Sequence, residues 1–279
     1  MSFNERLRKI IEQACSYVCV GLDTDPARIP SAVKGSPCER VIKFNRAIID
    51  ATHSCVSAYK LNSAFYEAQG PDGIRAMKDT FDYLPDHVVS IADVKRGDIG
   101  TTAAQYAAAV FEYLGADAAT VSPYLGSDSV EPFISYTERG SFVLCLTSNA
   151  SADEFQKLKT AEGTPFFISV AEKALSWNSG GNIGLVVGAT RPEEFNAIRV
   201  VAPDIPLLVP GIGAQGGDLE KVVVSGIGVK RSPVLINSSR GIIYRSSSED
   251  FAEAACAECQ RLNDQISSIL GMLGPKVGE

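Results

Sequence analysis

Eight short apolar stretches recur along the chain, each followed by a segment of different pattern, and this alternation constrains the fold more than any other feature. The stretches cover residues 17–22, 56–61, 88–93, 118–121, 142–147, 183–187, 207–209 and 234–237. Their length and β-branched content are those of strands buried on both faces. Between them lie amphipathic stretches such as 39–52, 73–83, 103–114 and 192–201, and a last helical pattern covers 249–270. Eight strand–helix units in about 250 residues predict an α/β fold, a single (β/α)8 (TIM) barrel. A doubly wound open sheet is the rival, but eight units in this length favour closure. No linker or composition shift divides the chain, so residues 1–279 read as one barrel domain. It opens with an amphipathic helix, MSFNERLRKIIEQA, and closes with a short tail after Gly271 that is expected to fray. Segments 151–164 and 179–181 read as loops.

Composition narrows the function. The chain is 45% hydrophobic and 21% charged, which suits a globular protein with a sizeable core. Its net charge of −7 and lack of a basic stripe argue against a nucleic-acid partner. No apolar run approaches the roughly 18 residues of a membrane span, so no membrane association is expected. The N-terminal helix lacks the apolar centre of a signal peptide. Seven cysteines are dispersed among apolar neighbours, the pattern of reduced thiols in a cytoplasmic protein. Cys256 and Cys259 form a C-x-x-C within a helical pattern, without a second pair to complete a zinc site, and read as structural. His53 and His87 precede strands and read as structural too. No metal and no cofactor is expected.

The strand ends carry the chemistry, since a barrel keeps its site there. The third strand runs into Ile91-Ala-Asp93-Val-Lys95-Arg-Gly-Asp98-Ile-Gly-Thr-Thr102. Strand residues two apart share a face, so Asp93 and Lys95 should project together. Gly97 turns the chain and Asp98 leads into a helix. A surface salt bridge is the bland alternative. Other strand ends are polar as well: Asp23, Lys60-Leu-Asn62, Thr147-Ser148-Asn149 and Asn237-Ser-Ser-Arg240-Gly241. After the seventh strand, Gly211, Gly213, Gly216 and Gly217 would let backbone approach a ligand, with Gln215 as a donor. Arg240 can grip a phosphate with a bidentate fork. The last two strand ends therefore read as a phosphate site.

These residues resemble the orotidine 5′-phosphate decarboxylase family over nearly the whole length. Asp93-x-Lys95-x-x-Asp98-Ile-x-x-Thr102 matches its D-x-K-x-x-D-I-x-x-T signature, in the K-R-G-D-I form of one bacterial-type branch. GLDTDP around Asp23, AYKLNSAFYE around Lys60, SPYLGSDS around Pro123, VPGIGAQGGD around Gln215 and NSSRGI around Arg240 support the match. The chain departs from the pattern at Ala150-Ser151, where Pro-Gly is frequent, at Leu61 and at Ser122. None of these carries a proposed chemical role.

The resemblance implies cofactor-free decarboxylation of orotidine 5′-phosphate to uridine 5′-phosphate on the same barrel. It implies that Asp93 and Lys95 face the carboxylate and C6 of the pyrimidine, with Lys95 protonating C6. Lys60 would bridge Asp93 and the ribose, and Asp23 would bind a ribose hydroxyl. Ser148 would bond the base, and Gln215, Gly241 and Arg240 would hold the phosphate. Asp98 and Thr102 would complete the site of the neighbouring subunit in a homodimer. Two alternatives stay open: a magnesium-dependent sugar-phosphate enzyme of the same barrel superfamily, and a catalytically silent nucleotide-binding barrel.

Overall fold

The computed structural model describes residues 1–189, 192–212 and 218–276. Among them, parallel strands close into a barrel in chain order. They are β1 (Val18–Gly21), β2 (Ala58–Asn62), β3 (Val89–Arg96), β4 (Ala118–Val121), β5 (Gly140–Leu146), β6 (Ile183–Val187), β7 (Leu207–Pro210) and β8 (Val234–Ser238). The ring closes where β8 pairs with β1, Ile236 lying opposite Val18. Helix α1 (Phe3–Ala14) precedes β1. The crossovers carry α2 (Pro37–Thr52), α3 (Ser63–Glu67), α4 (Gly70–Tyr83), α5 (Gly100–Ala108), α6 (Ser127–Ile134), α7 (Phe166–Trp177), α8 (Pro192–Val201) and α9 (Leu219–Val222). Helices α10 (Arg240–Ile243) and α11 (Phe251–Met272) follow β8. The predicted (β/α)8 barrel is the observed fold. Among the described residues, no helix is long and apolar enough to cross a membrane.

Local sequence explains the elements. Helix α2 begins with Ser36 and Glu39 in a reciprocal capping box and Pro37 in its first turn. Its buried Val41, Phe44, Ile48 and Ile49 recur at helical spacing and meet the outside of the barrel. Strand alternation divides the apolar residues into two layers. Val18 and Val20 face the helices, whereas Cys19 faces inward with Ala58, Ile91, Phe142 and Leu235.

One end of the barrel is plugged. Phe3, Leu7, Ile10 and Ile11 of α1 pack onto the inward-facing layer. The Phe3 ring meets Phe142 edge-on, with centroids 6.2 Å apart. Gly140 makes this approach possible, because a Cβ there would lie 2.3 Å from the Phe3 ring. Arg6 pairs with Asp117 at 2.8 Å, and Asp117 also accepts from the Ser90 backbone N–H at 2.9 Å. With that end filled, the carboxyl ends of the strands are the open mouth.

Two readings change. The third strand was expected to end at Asp93 and continues to Arg96, with a register shift against β4. The tail was expected to fray, yet Arg231 donates to the carbonyls of Leu270 at 2.8 Å and Gly274 at 3.0 Å. Lys276 Nζ reaches Glu12 at 3.4 Å. The charged ends of two basic side chains, invisible to a composition argument, tie the tail to the body; residues 277–279 lie outside the described residues.

Phe3→Ala should cost about 3–5 kcal/mol, as expected for deleting a fully buried ring. Urea unfolding measures this, and a loss below about 1 kcal/mol would show that α1 is not an integral floor.

Candidate active site

The strand ends surround a cavity of about 270 Å³ lined by Asp23, Lys60, Asp93, Lys95, Ser148 and Arg240, among others. Lys60, from β2, lies at its centre and is 3% exposed. Its Nζ donates to Asp93 Oδ2 at 2.9 Å and reaches Asp23 Oδ1 at 3.4 Å. Lys95 Nζ donates to the other oxygen, Asp93 Oδ1, at 2.5 Å. One buried carboxylate is thus held between two ammonium groups. They differ in setting: Lys60 is enclosed, whereas the Lys95 side chain is 49% exposed and faces the cavity.

The charges sustain one another. Burial alone would raise the Asp93 carboxyl, but Lys60 and Lys95 outweigh it and hold the group well below the usual carboxylate range. Burial would lower Lys60, and Asp93 and Asp23 more than reverse that, leaving it above the ordinary lysine value. Asp93 and Lys60 are therefore both ionised across the neutral range.

Lys95 reaches Asp93 by an unexpected route. Regular alternation would put the two on one face, but β3 is not regular there. Its register against β4 shifts between Ala92 and Arg96, and Lys95 has φ +46°. The Lys95 backbone N–H donates to Thr120 Oγ1 at 2.9 Å, and Thr120 Oγ1 donates to Asp93 Oδ1 at 3.0 Å. Thr120 was missed from the sequence; its signal was a lone hydroxyl in the apolar run Ala118-Ala-Thr-Val121.

A family model for the orotidine 5′-phosphate decarboxylase / HUMPS family matches residues 16–255. The chain belongs to that family. An orotidine 5′-phosphate decarboxylase of Thermomicrobium roseum is 49% identical over 271 residues, covering 96% of each chain. Two solved structures from Leishmania donovani are 37% identical to this chain. Its OMP decarboxylase has a TM-score of 0.80 and is covered to 100%, against 95% of this chain. Its UMP synthase has a TM-score of 0.85 over 97% of this chain, which spans 57% of that longer protein.

The other residues implied by the decarboxylase resemblance fall into four groups. Ser148 and Arg240 line the cavity, Arg240 beside Pro210, Gly211 and Ile212 from the end of β7. Gly241 lies behind Arg240 against Ser238, whose Oγ would be 3.3 Å from a Cβ there. Asp98 and Thr102 stand outside their own chain's cavity. Asp98 Oδ1 accepts from the Ile99 N–H at 2.8 Å, and Thr102 is exposed in the first turn of α5. Gln215 lies outside the described residues, as do Gly213, Gly216 and Gly217.

Side chains not singled out from the sequence shape the mouth of this family site. Gln156 clamps the residue before Ser148, accepting from the Thr147 N–H at 2.7 Å and donating to its hydroxyl at 2.8 Å. These bonds hold Thr147 at the start of the segment that carries Ser148, Ala150 and Ser151. Tyr244, at the end of α10, accepts from the Asp25 N–H at 2.7 Å and so joins the Arg240 segment to the loop carrying Asp23. Neither contact has a local sequence signal, because the partners are far apart in the chain or across a loop.

The lowered Asp93 group stabilises the fold above its ordinary value of 3.8, and that contribution is lost as pH falls below 3.8 toward the folded value. The raised Lys60 contribution is present below 10.5 and is lost only as pH rises past it. At neutral pH, Asp93→Asn should therefore cost about 3 kcal/mol, the lower end for a broken buried pair, because Lys60 keeps Asp23. The Tm gap from wild type should narrow below pH 3.8. A gap independent of pH would contradict an ionised, paired Asp93.

Proposed function

We propose that this chain releases carbon dioxide from orotidine 5′-phosphate and leaves uridine 5′-phosphate, without a cofactor, as a step of pyrimidine biosynthesis in the cytoplasm. The single observation that carries the reading is the Lys60–Asp93–Lys95 array in the mouth of a barrel whose full-length relative at 49% identity bears that decarboxylase name. The whole of residues 1–279 serves as one catalytic barrel.

Loss of carbon dioxide breaks the bond from C6 to the carboxylate carbon and leaves the electron pair on C6. A fixed cation beside C6 stabilises that charge, and Lys95 is the cavity-facing cation. Its Nζ gives a proton to C6 and the product is neutral there. Asp93 orients Lys95 and crowds the substrate carboxylate with like charge before it leaves. Lys60 holds Asp93 and meets the ribose, and Asp23 binds a ribose hydroxyl. Ser148 bonds the base. Arg240 and Gln215, with the backbone at Gly241, hold the phosphate, whose remote binding energy supports catalysis at C6.

A homodimer completes the site. Asp98 and Thr102 lie off the lining of their own cavity and serve the partner's. Exposed Ile99, Tyr124 and Leu125 support an interface here, since the Ser122 N–H donates to the Arg96 carbonyl at 2.7 Å and brings their loops together.

Purified protein should release carbon dioxide from orotidine 5′-phosphate at an undiminished rate in excess EDTA. A strict magnesium requirement would instead assign the chain to sugar-phosphate chemistry.

Subunit sharing predicts complementation. Lys95→Ala and Asp98→Ala chains, each nearly inactive, should regain activity when mixed and allowed to exchange. Half of randomly formed dimers are mixed and each has one intact site, so about a quarter of wild-type activity should return. No recovery despite proven exchange would show that Asp98 serves its own chain.

A further inference from the structure

We propose that Thr120 is a positioning residue that sets the reactive pose of Lys95; the catalytic part of this inference rests on the decarboxylase reading above. The argument starts from the β3–β4 ladder. Ala92 stands opposite Ala119 and Arg96 opposite Val121. Asp93, Val94 and Lys95 therefore face a single residue of β4, Thr120. Three residues against one cannot all find ladder partners. The Lys95 N–H is satisfied instead by a side chain, Thr120 Oγ1, at 2.9 Å.

The hydrogen count orders this contact. A backbone N–H can only donate, so Thr120 Oγ1 accepts from Lys95. The one hydroxyl hydrogen is then free for Asp93 Oδ1 at 3.0 Å. That same Oδ1 accepts from Lys95 Nζ at 2.5 Å. The result is a closed ring from the Lys95 backbone through the Thr120 hydroxyl and the Asp93 carboxylate to the Lys95 ammonium. Thr120 itself is 1% exposed, so water does not compete for its hydroxyl.

The ring holds a conformation that lysine does not favour. At φ +46° Lys95 is in the left-handed region, where a Cβ crowds its own backbone. Without the Thr120 acceptor, the N–H would lose its protein partner and the left-handed turn would lose its anchor. The ammonium would lose its fixed place beside the reacting carbon. Displacements of this size at a reacting group have large rate effects. The groups proposed to bind substrate, among them Ser148 and Arg240, lie beyond the ends of β5 and β8 and would be untouched.

The test compares Thr120→Val, which removes the hydroxyl and keeps the β-branched volume, with Thr120→Ser, which keeps the hydroxyl. The valine variant should fold, lose about 10–100-fold in kcat and change KM little. The serine variant should recover most of kcat. A crystal structure of the valine variant should show Lys95 with negative φ. Wild-type kcat in the valine variant, failure of serine to rescue, or parallel losses in Tm, KM and kcat would each overturn the proposal. So would an unchanged Lys95 φ. If wild-type protein fails to turn over orotidine 5′-phosphate, the functional reading fails instead, and the Lys95 backbone in the valine variant still decides whether Thr120 sets its pose.

Discussion

A carboxylate buried between two ammonium groups governs this molecule's open end. Asp93 cannot stay ionised in the barrel mouth alone, and neither can Lys60. Paired with each other, and with Lys95 and Asp23 beside them, Asp93 and Lys60 both stay charged. A buried ion cluster of this kind adds little stability over apolar packing of the same volume. Its presence above an inward-facing apolar layer therefore speaks for chemistry.

The two ends of the barrel divide the labour. At the floor, α1 fills the interior with Phe3, Leu7, Ile10 and Ile11, and the Arg6–Asp117 pair ties it to β4. At the mouth, polar side chains from several strands converge on one cavity. Strand register sets the distances among Lys60, Asp93 and Thr120, each from a different strand.

Much of the site was legible because its residues sit at strand ends, where the apolar pattern stops and a charge begins. Asp23, Lys60, Asp93, Lys95, Ser148 and Arg240 stood out in this way, and they line one cavity. Gln156 and Tyr244 did not stand out, since nothing in their neighbourhoods marks them. Each matters through a partner that the fold brings close: Thr147 for Gln156, and Asp25 for Tyr244.

The sequence by itself determined the eightfold alternation, the parallel barrel and the end of it that carries charge, because burial periodicity and strand-end polarity are local properties. The tertiary structure decided how Lys95 meets Asp93. Local alternation predicted a regular strand, whereas the shifted register against β4 bends it and turns Lys95 left-handed. That register depends on the packing of the whole ring. No window of sequence around Lys95 contains Thr120, the residue whose hydroxyl makes the bend possible.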